Sequence, residues 1–116
     1  MDPLSAAITL KALDGLSTRA SVAAENIANA NTAGYRPRHV TFEQALAVAA
    51  QHGAAQVRSV APTIGVDETR ATLGAPGPRV DLDLADSAAT ASRYGALVDI
   101  LDRQLQLTDL AMTGGR

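Results

Sequence analysis

The sequence predicts a mainly α protein. Long N- and C-terminal helices pair antiparallel in coiled-coil fashion, joined by a short middle helix and an extended or partly disordered central segment. Three observations carry that expectation. Leu13, Leu16, Ala20, Ala23, Ile27 and Ala30 are spaced 3, 4, 3, 4 and 3 residues apart, the a/d pattern of one apolar helical seam. Leu84, Ala91, Tyr94, Val98, Leu101, Leu105, Thr108 and Met112 follow heptad spacing near the C-terminus. Between them, residues 54–79 lose the helical period.

The first helix is expected from Pro3 or Leu4 to about Asn31. Asp2 is placed to cap it, and Pro3 suits the first helical position. At 1.5 Å per residue it is about 40 Å long. Gly15 is its weak point, costing about 1 kcal/mol relative to alanine. The seam passes from leucine to alanine, so its second half permits closer helix approach. Asn26, Asn29 and Asn31 are poor helix formers and suit a helix end whose polar groups meet other chains. Gly34 can take the left-handed conformation that closes such a helix, and Pro37 forces Arg36 into an extended conformation.

Thr41-Phe42-Glu43-Gln44 reads as a capping box, opening a short alanine-rich helix from Phe42 to about Gln51 that ends at Gly53. In the aperiodic centre, Val57, Val60, Ile64 and Val66 fit short strands or an extended hairpin; disorder of the free monomer is the alternative. Gly74-Ala75-Pro76-Gly77-Pro78 reads as a linker or turn. The last helix is expected from Asp81 or Asp83, either of which could cap it, to about Thr113, with Gly114-Gly115 as its stop. Leu97, Ile100, Leu107 and Leu110 fall outside its seam. A helix apolar over so wide an arc is buried on more than one side, which one partner helix cannot achieve; the surplus face argues for oligomerisation.

Composition narrows the function classes. A chain of 116 residues fits one domain, with residues 1–34, 35–79 and 80–116 as its three segments. Its 47% hydrophobic content includes 24 alanines, and there is one Phe and no Trp, so the core is small and the monomer is expected to be marginally stable. A net charge of −2 and a pI near 5.5 argue against nucleic acid as the main partner. Arg36, Arg38 and His39 form a local basic cluster, read either as a solvated turn or as a contact for an acidic patch on a neighbour.

The absence of cysteine excludes disulfides and thiolate metal sites. No basic segment followed by an apolar one marks a cleaved signal, and no apolar run is long enough to span a membrane. His39 and His52 lie in polar context without ligand spacing. Asp81, Asp83 and Asp86 alternate as in a calcium loop, but the loop glycine and distal glutamate are missing; capping and helix-dipole complementation fit them better. No G-x-S-x-G, Walker lysine or G-x-G-x-x-G after a strand is present. No enzyme activity and no cofactor is therefore expected.

The run Glu25-Asn26-Ile27-Ala28-Asn29-Ala30-Asn31-Thr32-Ala33-Gly34-Tyr35 resembles the N-terminal signature of the bacterial flagellar rod and hook proteins, approximately A-x-N-I-A-N-x-x-T-x-G-Y. Val80-Asp81-Leu82-Asp83 and Arg93-Tyr94 are similar to the start and interior of the last helix of the proximal rod members. The family often has proline where Ala33 stands, which leaves Gly34 to make the turn. The resemblance implies a structural subunit of the proximal rod of the flagellar basal body, transmitting torque for motility and exported by the type III apparatus without a cleaved signal. Implied partners are copies of itself, other rod proteins, and rod–ring junction and export-gate proteins. Implied assembly residues are Asn26, Ile27, Ala28, Asn29, Asn31, Thr32, Gly34 and Tyr35, with Tyr94, Leu101 and Leu105 on the last helix. The alternative is a soluble helical adaptor or export chaperone that binds another protein's amphipathic helix.

Overall fold

The computed structural model describes residues 1–68 and 79–114. Helix α1 runs Pro3–Ala28, followed by strand β1 at Arg38–Thr41. Helices α2 at Glu43–Ala50 and α3 at Ala54–Arg58 come next, then strand β2 at Thr63–Val66. Helix α4, Val80–Gly114, completes the chain. The molecule is elongated, 65 × 27 × 15 Å.

Helix α1 starts as the sequence predicts. The Asp2 carboxylate accepts from the Ser5 N–H and the Ser5 hydroxyl, both at 2.8 Å, which satisfies an amide that has no partner within the helix. The far end differs from expectation. The helix stops at Ala28, and Asn29, not Asn31, is its C-cap. The Asn29 amide donates back to the Glu25 carbonyl at 2.9 Å, while the Thr32 N–H closes a turn onto the Asn29 carbonyl at 3.0 Å. Side-chain bonding to nearby backbone of this kind competes with helix continuation. Of the anticipated seam, Leu16 and Ala23 are buried and Leu13 and Ile27 half-buried, but Ala20 is exposed and Ala30 lies beyond the helix.

The middle of the chain folds back along α1. Strands β1 and β2 pair antiparallel, with Arg38 opposite Val66 and Thr41 opposite Thr63. Thr41 belongs to β1, and α2 is capped by Phe42 without a side-chain cap; the expected box reduces to Glu43 accepting from the Phe42 N–H at 3.3 Å. Helix α2 ends before Gly53, whose φ of +113° turns the chain into α3. That helix was not expected, yet it carries Val57, which is wholly buried. Phe42, Leu46, Ala49, Val40 and Val57 form a core with Ala7, Leu16 and Val22 of α1.

Helix α4 packs antiparallel to α1: Leu82 and Asp83 lie by Val22, Ala23 and Asn26, and Arg93 and Leu97 lie by Ala12 and Leu16. Asp81 and Asp83 fall in its first turn instead of capping it. The contact face comprises Asp83, Ser87, Thr90, Leu97, Leu101 and Gln104, all buried or half-buried. Leu101 apart, the anticipated row is therefore one residue out of phase. Leu84, Ala91, Val98, Leu105 and Met112, each seven residues from the next, are all exposed, as is Thr108. The linker expected at 74–78 and the stop at Gly115 lie outside the described residues.

Candidate assembly site

Asn26 is the centre of the motif, and it is turned inward, 6% exposed. Its amide nitrogen donates to the Arg38 carbonyl at 2.8 Å, and its oxygen accepts from the Arg38 N–H at 3.0 Å. One side chain thus meets both backbone groups of a single strand residue, as a neighbouring strand would. The Tyr35 hydroxyl donates to the same oxygen at 2.7 Å. The polar groups of Asn26 are thus engaged within the chain. Tyr35 packs back onto α1 as well. The physical reason is the cost of leaving buried strand groups unpaired, about 1–3 kcal/mol each.

The turn between helix and strand is shaped by the rest of the motif. The Thr32 hydroxyl donates to the Asn29 side-chain oxygen at 3.2 Å, and the Tyr35 N–H donates to the Thr32 carbonyl at 3.2 Å. Gly34 has φ +78°, the left-handed conformation the sequence suggests, although it lies five residues beyond the C-cap Asn29 and so shapes the turn, not the helix end. Ile27 is half-buried, and Ala28 and Asn31 are exposed or nearly so. The basic cluster is neutralised in part: Arg38 pairs with Glu25, and Arg36 with Glu68 at 3.3 Å.

A second anchor, not anticipated as such, lies three turns earlier. The Phe42 ring fills the space above Gly15, where a Cβ would fall 2.4 Å from the ring. The Arg19 guanidinium covers that ring at 4.8 Å from its centroid, within cation–π range. Arg19 also donates to the Val40 carbonyl at 2.8 Å and grips Glu43 through two oxygens at 2.5 and 2.9 Å. Those bonds hold the Glu43 carboxyl below its usual value of 4.5, at about 2, against partial desolvation. The readable signal was Gly15 itself: an isolated glycine in a helical pattern commonly marks a packing requirement.

Between α1, β1 and the start of α4 lies a cleft of about 280 Å³ lined by residues including Arg19, Arg38, His39, Asp67, Asp83 and Asp86. Among the described residues, no group of His, Cys, Asp and Glu is arranged to hold a metal ion. Asp81 pairs with Arg79 at 3.2 Å, which lowers its pKa. No described helix is long and apolar enough to cross a membrane.

The α4 candidates are far from this motif. Tyr94 is 40% exposed and Leu105 62% exposed, while Leu101 is half-buried against the paired helix. Past Gln104 every described residue of α4 is exposed, including Leu107, Leu110 and Met112.

Residues 8–36 match the family model of the flagella basal body rod protein. The matched segment takes in α1 from Ile8 onward, Asn26 and Tyr35 of the clamp, and the Gly34 turn, and stops short of Arg38. No curated protein and no solved structure matches the chain significantly. Over residues 8–36 the chain is therefore similar to the flagella basal body rod protein family.

Proposed function

We propose that this chain is a structural subunit of the proximal rod, assembling through α4 with copies of itself and with other rod proteins. The observation that carries this reading is the outward row on α4. Leu84, Val98, Leu105 and Met112 are 55%, 40%, 62% and 73% exposed, and with Ala91 they repeat every seven residues. Isolated exposed leucines need no explanation, but a continuous apolar row at coiled-coil spacing marks a helix–helix interface. The motif at Asn26–Tyr35 serves this role indirectly, by fixing the β-ribbon against α1 so that every subunit presents the same shape. Torque then passes along packed helices. Subunits reach the rod through the flagellar type III export route, cross the periplasmic space within the growing structure, and begin at the rod–ring junction and export gate.

The test is to tag the chain, purify basal bodies and locate the tag, together with deletion of its gene. The reading expects the tag in the rod and loss of both rod and swimming on deletion. A tagged chain recovered only as a discrete soluble dimer, with rods intact in the deletion strain, would favour the adaptor or chaperone.

A further inference from the structure

We propose that α4 is a separable helix: it opens from the rest of the molecule as a unit, while α1 and residues 35–68 stay folded together. This goes beyond the rod reading and stands on burial and hydrogen bonding. The two sides of α1 are held very differently. On one side, Phe42 sits in the Gly15 notch, Val57 is wholly buried, and the core joins α1 to Val40, Leu46 and Ala49. Hydrogen bonds add to it there: Asn26 binds both backbone groups of Arg38, and Arg19 reaches the Val40 carbonyl and Glu43.

On the other side, α4 lies along α1 over a long contact, but little of that contact is buried and apolar. Among the described residues, its buried members are Asp83 and Thr90, both polar. The Thr90 hydroxyl is buried with no hydrogen-bond partner among the described residues, which opposes docking because that group is hydrated when the helix opens. Among the described residues, Leu97 is the partly buried hydrophobic of α4 that packs against the core cluster. Helices held by few buried apolar contacts open locally, at free energies below that of global unfolding. Opening of α4 uncovers the face of α1 around Ala12 and Ala23 and leaves the Asn26 and Phe42 anchors intact.

Native-state hydrogen exchange on the full chain, read by mass spectrometry over a series of low urea concentrations, tests this. Amides of 84–104 should show protection at least tenfold below those of Val22–Asn26, Val40 and Val57, with a weaker urea dependence. Leu97→Ala should lower protection in α4 severalfold and leave the other sites unchanged. Equal protection and equal urea dependence across α1, the middle segment and α4 in the unaltered chain would overturn the proposal. So would a Leu97→Ala effect spread evenly over all three.

Discussion

Gly15 and Phe42 form a notch and its filling: a Cβ on Gly15 would lie 2.4–2.5 Å from three atoms of the Phe42 ring. The glycine that weakens α1 as an isolated helix is what lets β1 and α2 close onto it. The two effects oppose each other. Alanine gains about 1 kcal/mol in helix propensity, but overpacking costs about 1–3 kcal/mol, and the ring is held by Arg19 above it.

Gly15→Ala should therefore be neutral to destabilising by up to about 2 kcal/mol, and Gly15→Leu should prevent the middle segment from docking. Phe42→Leu combined with Gly15→Ala should recover stability relative to Gly15→Ala alone. Urea denaturation of these three variants beside the unaltered chain checks this. A clear stabilisation by Gly15→Ala would show that Phe42 does not occupy the notch.

The Asn26 clamp separates two contributions. Tyr35→Phe removes one hydrogen bond and should cost about 1 kcal/mol. Asn26→Asp keeps the shape but removes the donor to the Arg38 carbonyl and buries a charge, so it should cost more, about 2–4 kcal/mol. Thermal denaturation at neutral pH ranks the two. Equal costs would mean that the amide donor contributes nothing.

At Gly34 the strain is confined to the backbone. Its φ is +78° and a Cβ would meet nothing within 4 Å, so side-chain size alone is tolerated. Gly34→Val should cost about 1–3 kcal/mol, while Gly34→Asn should be milder because asparagine tolerates the left-handed region. Stability and swimming-halo diameter should both follow the order glycine, asparagine, valine. Equivalence of valine and glycine would contradict the turn geometry.

Acid should weaken the Arg19–Glu43 contact. The folded-state pKa of Glu43 is depressed to about 2 from 4.5, so its contribution is fully present above about 4.5 and is lost as pH falls toward 2. The Glu43 side chain is 57% exposed, and solvent screening keeps the effect small. Glu43→Gln should flatten this part of the stability–pH curve. A slope below about pH 5 that the substitution leaves unchanged would remove Glu43 from the account.

Much of the helical frame was legible because it depends on local chemistry. Asp2 and Pro3 start α1, Gly53 turns the chain after α2, and Gly34 takes its positive φ. What was not legible depends on residues distant in sequence. Nothing in its flanking residues sets Asn26 apart from Asn29 as the buried one, and only the arrival of Arg38 twelve residues later gives it that role. Strands of four residues are too short for a period to declare itself, so the pairing of β1 with β2 could be raised only as one option. In α4 the apolar arc is wide enough to contain two adjacent rows. Spacing alone could not tell the row through Thr90 and Leu97, which meets α1, from the row through Ala91, Val98 and Leu105, which is exposed.

In the proposed rod subunit, the outward row of α4 forms the interface with a neighbouring helix. The chain has no cysteine, so Leu105→Cys introduces a single thiol at a position 62% exposed in the monomer. The direct measurement is the rate of maleimide labelling of that thiol in the purified subunit and in purified basal bodies. Labelling should be at least tenfold slower in basal bodies, where a neighbouring helix would cover Leu105. Equal rates in the two states would show that the row faces solvent in the rod, and would contradict assembly through this face.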